Sequence, residues 1–231
     1  LESGADYIVI LNNDTLVHKS LIGELLKIAD SDEKIGIVAP KIYFAKDFEF
    51  HKDRYKENER GKVIWYAGGL MDWNNVIGKH HGVDEVDKSQ YEKVEETEFA
   101  SGCCMMVKRE VFEKVGFFDE RYYLYYEDSD FCQRVKALPT GRQGKGHRVM
   151  YAPKAVIWHK NAASAHGSGS SLQDYYITRN RLLFGMHYAP FRSKLALVRE
   201  SFSLLLNGRQ WQRRGILDFY LGKFGKGNYP I

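Results

Sequence analysis

Tyr7-Ile-Val-Ile-Leu11, then Asn12-Asn13-Asp14-Thr15, then Leu21, Ile22, Leu25, Leu26 and Ile28 form the stretch from which the fold is read. Five consecutive apolar, β-favouring residues suit a short strand covered on both faces, as in a parallel sheet. The polar turn ends it, and the helical spacing of the next five apolar residues predicts a helix. Asp30-Ser31-Asp32-Glu33 closes that helix before a second apolar run, Ile35 to Ala39. The order is β-α-β. A right-handed crossover lays such a helix on the sheet, and ligands of open α/β sheets collect at the carboxyl ends of the strands. Asn12, Asn13 and Asp14 occupy that address.

Downstream, the charged and aperiodic Lys46 to Arg60 reads as a surface loop. Val63 to Ala67 resumes as a strand and ends in Gly68-Gly69, which permits a tight turn or the close approach of a ligand. Asp84 to Glu98 reads as polar and solvated. Phe99 to Val107 suits a strand of mostly small residues, Lys108 to Lys114 a helix closed by Gly116, and a further helix starts near Glu127. Ala137 to His147 reads as an inserted loop. Arg148 to Ala152 and Ala155 to Trp158 read as two strands separated by Pro153-Lys154, the second running into His159. Ala162 to Ser171 is flexible by composition, and the chain beyond Leu172 is helical, with Pro190 dividing two helices. The expected fold class is α/β, a mostly parallel sheet with helices on both faces.

The chain has 231 residues, 44% hydrophobic and 28% charged, with 5 Pro and 21 Gly, which suits a folded globular protein and excludes disordered and collagen-like classes. A net charge of +4 is too weak to argue for nucleic acid. Three cysteines, Cys103, Cys104 and Cys132, give no disulfide framework, so a reducing, cytoplasmic setting is expected. No run approaches the ~18 apolar residues of a spanning helix. Leu1 to Asp6 lead straight into a buried-looking strand, so the chain is expected to begin inside a larger fold. Aromatic content is the outlier, at 14% with 15 Tyr.

Four constellations can carry chemistry. Asn12-Asn13-Asp14-Thr15 offers the amide and carboxylate oxygens that Mg²⁺ or Mn²⁺ prefers, although the same residue types also make a turn and a helix N-cap. Tyr122-Tyr-Leu-Tyr-Tyr126 runs into Glu127, Asp128 and Asp130, where aromatic walls raise a carboxylate's pKa and improve it as a general base. The alternative there is acids complementing a helix dipole. His159 ends an apolar strand, at the same edge of the sheet as Asp14 if the two strands are parallel neighbours, where it either completes a metal site or is an ordinary strand-end residue. Tyr176, Arg179 and Asn180 share one helix face that either meets a diphosphate or is a solvated basic face.

In this order the segments resemble the family 2 glycosyltransferases of GT-A fold, particularly bacterial rhamnosyltransferase-like members. The resemblance runs from Gly4 to about Phe184 and rests on GADYIVILNNDT (Gly4 to Thr15), the run from Ala100 to Arg134 that includes RYYLYYEDSDF, the strand-ending His159, and YYITRNRLLF (Tyr175 to Phe184). It implies a GT-A domain over residues 1–187, N-terminally truncated, followed by a basic helical tail over 188–231. It further implies that Asp14 and His159 hold a divalent metal, Mg²⁺ or Mn²⁺, and that Asn12, Asn13, Arg134, Tyr176, Arg179 and Asn180 join Asp14 at the donor. Asp128 is the implied catalytic base, supported by Glu127 and Asp130. Trp65, Gly68, Gly69, Ser101 and Gly102 fall in acceptor-binding segments.

The implied activity is inverting transfer from a nucleotide-diphosphate sugar to a glycan or lipid-linked acceptor in cell-surface polysaccharide synthesis. Asn12 replaces the family's first acidic position, which tunes metal affinity, and the family's N-terminal nucleotide-binding strands do not precede Gly4. The competing reading is a non-catalytic glycan-binding or assembly fragment. A metal-dependent phosphate hydrolase would call for more carboxylates than Asp14 supplies. The basic tail, with Arg199, Arg209, Arg213, Arg214, Lys223 and Lys226 among Leu, Phe and Trp211, suits peripheral contact with the inner face of the cell membrane and equally suits packing back on the domain.

Overall fold

The structure, a computed structural model, describes residues 4–138, 146–160 and 170–230. In chain order its elements are β1 (Tyr7–Leu11), β2 (Thr15–Val17), α1 (Leu21–Ala29), β3 (Ile35–Phe44), β4 (Ile64–Tyr66), β5 (Gly69–Asp72), β6 (Ile77–His80), β7 (Glu95–Glu96), β8 (Cys104–Lys108), α2 (Arg109–Val115), α3 (Glu127–Ala137), β9 (Arg148–His159), α4 (Ser171–Tyr188), α5 (Phe191–Asn207) and α6 (Gln210–Tyr220). The chain divides into two compact units, one drawn from Leu1–Leu70, Lys79–Phe117 and Phe131–Ala163, the other from Met71–Gly78, Phe118–Asp130 and Ser164–Ile231. The expected loop from Ala137 to His147 and the Gly/Ser-rich stretch from Ala162 to Ser171 lie largely outside the described residues.

The first unit is built on a sheet of order β1-β8-β3-β9-β2, with β4 added to β3 and β7 to β9. The α/β class stands, but the expected parallel majority does not. Among the described residues of this sheet only β3 and β9 pair in parallel; β1–β8, β8–β3, β3–β4, β7–β9 and β2–β9 are antiparallel. Strands β1 and β3 run the same way, as the β-α-β reading requires, yet β8 returns between them. Hydrophobic periodicity reports burial and not direction, so that later strand was invisible in the opening motif.

Burial follows position in the sheet. Strand β3 is buried at every residue except Tyr43, which explains its continuous apolar run. Strand β1 stands at the end of the strand order and is only half-buried, with Leu11 exposed, so covering on both faces describes β3 and not β1. Helix α1 packs against β3 and β9 through Leu21, Leu25 and Ala29.

Strand β9 is one strand where two were expected. Against β3 its register jumps between Ala152, opposite Pro40, and Val156, opposite Lys41. On its other edge β7 pairs as far as Tyr151 and β2 begins at Ile157. Pro153 therefore lies between those two partners on that edge, where no ladder bond is asked of it.

The polar stretch from Asp84 to Glu98 is anchored rather than freely solvated. Lys41, 1% exposed, donates to Asp87 at 2.8 Å and to Glu92, and the Tyr43 hydroxyl donates to Asp87. In the second unit α4 packs on α5 and α6. Pro190 does divide α4 from α5, and α6 is a third helix beyond the two expected. Removing one partner of a buried ion pair leaves the other uncompensated, so Lys41→Met should lower the unfolding free energy by about 3–5 kcal/mol in urea titration. A loss below about 1 kcal/mol would show that the pair is solvated as surface pairs are.

Candidate active site

The turn after β1 is fixed by main-chain bonds. The Asn12 amide donates to the Cys103 carbonyl at 2.9 Å, the Thr15 hydroxyl donates to the Asn12 carbonyl at 2.7 Å, and the Lys160 amide donates to the Asp14 carbonyl at 2.9 Å. Antiparallel pairing of β2 with β9 sets Thr15 directly opposite His159. This pairing, and not the parallel adjacency expected from the sequence, brings Asp14 to His159: Oδ1 lies 3.3 Å from Nε2. That Oδ1 is buried without an aligned hydrogen bond, and His159 Nδ1 is buried without a partner. Burial holds the His159 imidazole below its ordinary value, against the pull of the Asp14 carboxylate.

A carboxylate oxygen with lone pairs to spare beside a neutral imidazole suits a divalent cation that completes its shell with water and phosphate oxygens. Asp14 and His159 thus fit the implied Mg²⁺ or Mn²⁺. Among the described residues no cluster of three or more His, Cys, Asp or Glu could hold a metal without such outside ligands. Asn12 and Asn13 are exposed beside Asp14.

Behind His159 stands an aromatic wall that the sequence did not announce. Trp65 meets the His159 ring edge-on at 4.8 Å and His80 at 4.3 Å. His80 also lies against Tyr66 and Phe99, and its Nδ1 is 2.9 Å from the Trp65 carbonyl. Burial pushes His80 down to about 4, so it is neutral there. His80 within Gly78-Lys79-His80-His81 carries no sequence signal of such a role.

The remaining residues expected at the acceptor have structural partners. Gly68 takes φ +106, and the Gly69 amide donates to the Thr97 hydroxyl at 2.6 Å. A Cβ on Gly69 would stand 2.6 Å from the Phe99 ring, so glycine is demanded here by packing of two chain segments. Ser101 is buried and its hydroxyl accepts from the Cys103 amide, with Gly102 in the same turn before β8.

In the second unit, Tyr123, Tyr125 and Tyr126 have φ of 61°, 66° and 73°. For a bulky residue the left-handed region costs about 1–3 kcal/mol each, so this loop must be held by its surroundings. Asn180 and Arg179 on α4 hold it. Asn180 Nδ2 donates to the carbonyls of Tyr122, Leu124 and Tyr125 at 2.8, 2.7 and 2.9 Å. Arg179 donates through Nη2 to the carbonyls of Arg121 and Tyr122 and through Nε to Asn180 Oδ1, with its guanidinium over the rings of Tyr175 and Tyr176.

Both heads are fully buried. The diphosphate role expected of Arg179 and Asn180 is therefore corrected to that of a clamp, since a buried guanidinium must spend its donors on protein carbonyls. Tyr176 is likewise buried, stacked on Tyr123 and donating to the Lys226 carbonyl.

The clamped loop delivers Glu127 and Asp128 to the first turn of α3. Asp128 Oδ1 accepts from the Ser129 amide at 2.6 Å. Burial first, and the Asp128 charge second, raise Glu127 to about 8. At neutral pH Glu127 therefore keeps its proton. Asp130 is 3% exposed and accepts from the hydroxyls of Tyr188 and Tyr122 at 2.8 and 3.3 Å, so it anchors the helix start rather than supporting a ligand directly. In the first unit, Arg134, also expected at the donor, donates to the carbonyls of Val115 and Phe117 and closes the end of α2.

A family profile described as glycosyltransferase like family 2 matches residues 3–185. The chain belongs to glycosyltransferase family 2. The chain is similar to the low-salt glycan biosynthesis hexosyltransferase Agl10 of Haloferax volcanii, 27% identical over 135 residues, which cover 58% of this chain and 38% of the relative. The N-acetylglucosaminyl-diphospho-decaprenol L-rhamnosyltransferase of Mycobacterium tuberculosis is 34% identical over 97 residues, 41% of this chain and 29% of the relative. The O-antigen biosynthesis protein RfbC of Myxococcus xanthus is 25% identical over 183 residues, 77% of this chain and 12% of the relative. The chain thus spans less than half the length of each of these relatives.

Two outcomes follow from the geometry. Asn180→Ala should take this donor from the Leu124 and Tyr125 carbonyls, leave that of Tyr122 to Arg179 alone, and release the strained loop, costing about 2–3 kcal/mol of stability and speeding amide exchange across residues 122–126. Unchanged exchange there would contradict the clamp. Because His80 titrates at about 4 when folded and near 6.5 when unfolded, the unfolded chain binds more protons between those values. Stability should fall as pH drops through that window, by up to about 3 kcal/mol, and His80→Phe should flatten that part of the pH profile in thermal melts.

Proposed function

We propose that this family 2 domain transfers a sugar from a nucleoside-diphosphate sugar to a hydroxyl of a glycan or lipid-linked acceptor, inverting the anomeric configuration. The reading is carried by Asp14 and His159, brought to 3.3 Å with lone pairs unspent, in a chain whose family transfers sugars. Mg²⁺ or Mn²⁺ bound there supplies positive charge against the donor's diphosphate. Asn12 and Asn13, exposed on the same turn, are the neighbouring amides for the donor.

Asp128 is the base. It takes the proton of the acceptor hydroxyl while that oxygen bonds to the anomeric carbon and the bond to the diphosphate oxygen breaks, releasing the nucleoside diphosphate. A single displacement of this kind inverts the configuration. Glu127 is protonated at neutral pH, and the clamped tyrosine loop fixes where the neighbouring Asp128 carboxyl stands. The rhamnosyltransferase relative is named for a diphospho-decaprenol acceptor, which supports a lipid-linked glycan here.

The test is calorimetric titration of a panel of nucleoside diphosphates with and without Mn²⁺, followed by transfer assays with the matching nucleotide sugars. Binding should require the metal and be lost in Asp14→Ala. Asp128→Asn should keep that binding and its melting temperature while transfer falls by about 10²–10⁴-fold. Normal turnover in Asp128→Asn would overturn the assignment of the base, and an absence of metal-dependent binding would favour the non-catalytic glycan-binding reading.

A further inference from the structure

Helix α5 shows two faces with different fates. Ser193, Leu197 and Ser201 are buried toward its neighbours. Phe191, Leu195, Phe202 and Leu206, spaced by four, seven and four residues, fall on another stripe and are 74%, 56%, 57% and 76% exposed. The stripe continues onto α6, where Tyr220 stacks on Phe202 at 6.1 Å and Leu217, Tyr220 and Leu221 are also exposed. A helix on a water-facing surface normally turns polar residues outward, so a contiguous apolar face of this kind marks a contact surface.

Charge identifies what the face meets. Between Phe191 and Lys226 the chain has eight Arg and Lys and two acids, a net +6 against +4 for the whole chain, so the rest of the molecule is net acidic. Both acids are engaged: Glu200 pairs with Arg181 at 2.7 Å, and the fully buried Asp218 accepts from Tyr175 and Asn228. Arg192, Lys194 and Arg199 flank the apolar stripe on α5 and Arg213 stands exposed on α6, whereas Arg214 lies 3.6 Å from Asp218 and Arg209 pairs with Asp174. Two copies of the chain meeting through this face would oppose two cationic surfaces. An anionic bilayer satisfies both halves, apolar side chains entering the acyl boundary while Arg and Lys meet headgroup phosphates.

We infer that α5 and α6 form a docking surface for an anionic lipid leaflet and lie in the plane of the interface. This surface is independent of the transferase reading. Among the described residues no helix is long and apolar enough to cross a membrane, so attachment by this surface is interfacial.

The test is co-sedimentation of the 231-residue chain with phosphatidylcholine vesicles, with and without phosphatidylglycerol, at low and high salt. Binding should need phosphatidylglycerol and weaken with salt. Leu206→Ser with Phe191→Ser, and separately Arg192→Glu with Arg199→Glu, should each reduce binding at least about tenfold with unchanged melting, because all four side chains are exposed. Equal binding to neutral vesicles, no binding to anionic ones, or a dimer in solution that the Leu206→Ser and Phe191→Ser pair dissociates would overturn the inference.

Discussion

Strand β9 is paired along both edges, with β3 in parallel on one side and with β7 and then β2 antiparallel on the other. Side chains alternate between the two faces of a sheet, so a slip of one residue would send every β9 side chain to the opposite face. The register that sets His159 beside both Phe44 and Thr15 is therefore the constraint that creates the Asp14–His159 pair. Trp65 then packs edge-on against the imidazole and is itself backed by the neutral His80.

Residues around the proposed base obey a different constraint. Three tyrosines in the left-handed region carry several kcal/mol of local strain, and strain of that size persists only where the surroundings impose it. The buried Asn180 amide answers three loop carbonyls at once, and Arg179 braces the amide from behind. The energy that positions Glu127 and Asp128 thus comes from the hydrogen bonds of α4 and not from the sequence of the loop itself.

Much of this was legible in the sequence. The Tyr7–Leu11 strand, the following helix, the Ile35 strand, the Gly116 helix end and the acidic start of α3 all stand where the residue patterns put them. The meeting of Asp14 with His159 was legible as well, although by the wrong route. What escaped has physical reasons. Apolar runs cannot tell an antiparallel β8 from a parallel neighbour. Pro153 passes as a strand breaker unless its edge is known to lie between two partners. Helical spacing places Tyr176, Arg179 and Asn180 on one face without saying whether that face meets solvent or core. No Gly or Asn flags the left-handed tyrosines, whose conformation is imposed by contacts more than fifty residues away in sequence.

In the proposed function, the β2–β9 junction is the place where a divalent ion would meet the protein. Paramagnetic broadening by Mn²⁺, read on the histidine side-chain nitrogens of ¹⁵N-labelled protein with a nucleoside diphosphate present, probes that junction directly. The His159 resonances should broaden selectively, ahead of those of the exposed His51 and His187, and should stay sharp in Asp14→Ala. Broadening of the exposed histidines with His159 untouched would contradict a metal held by Asp14 and His159.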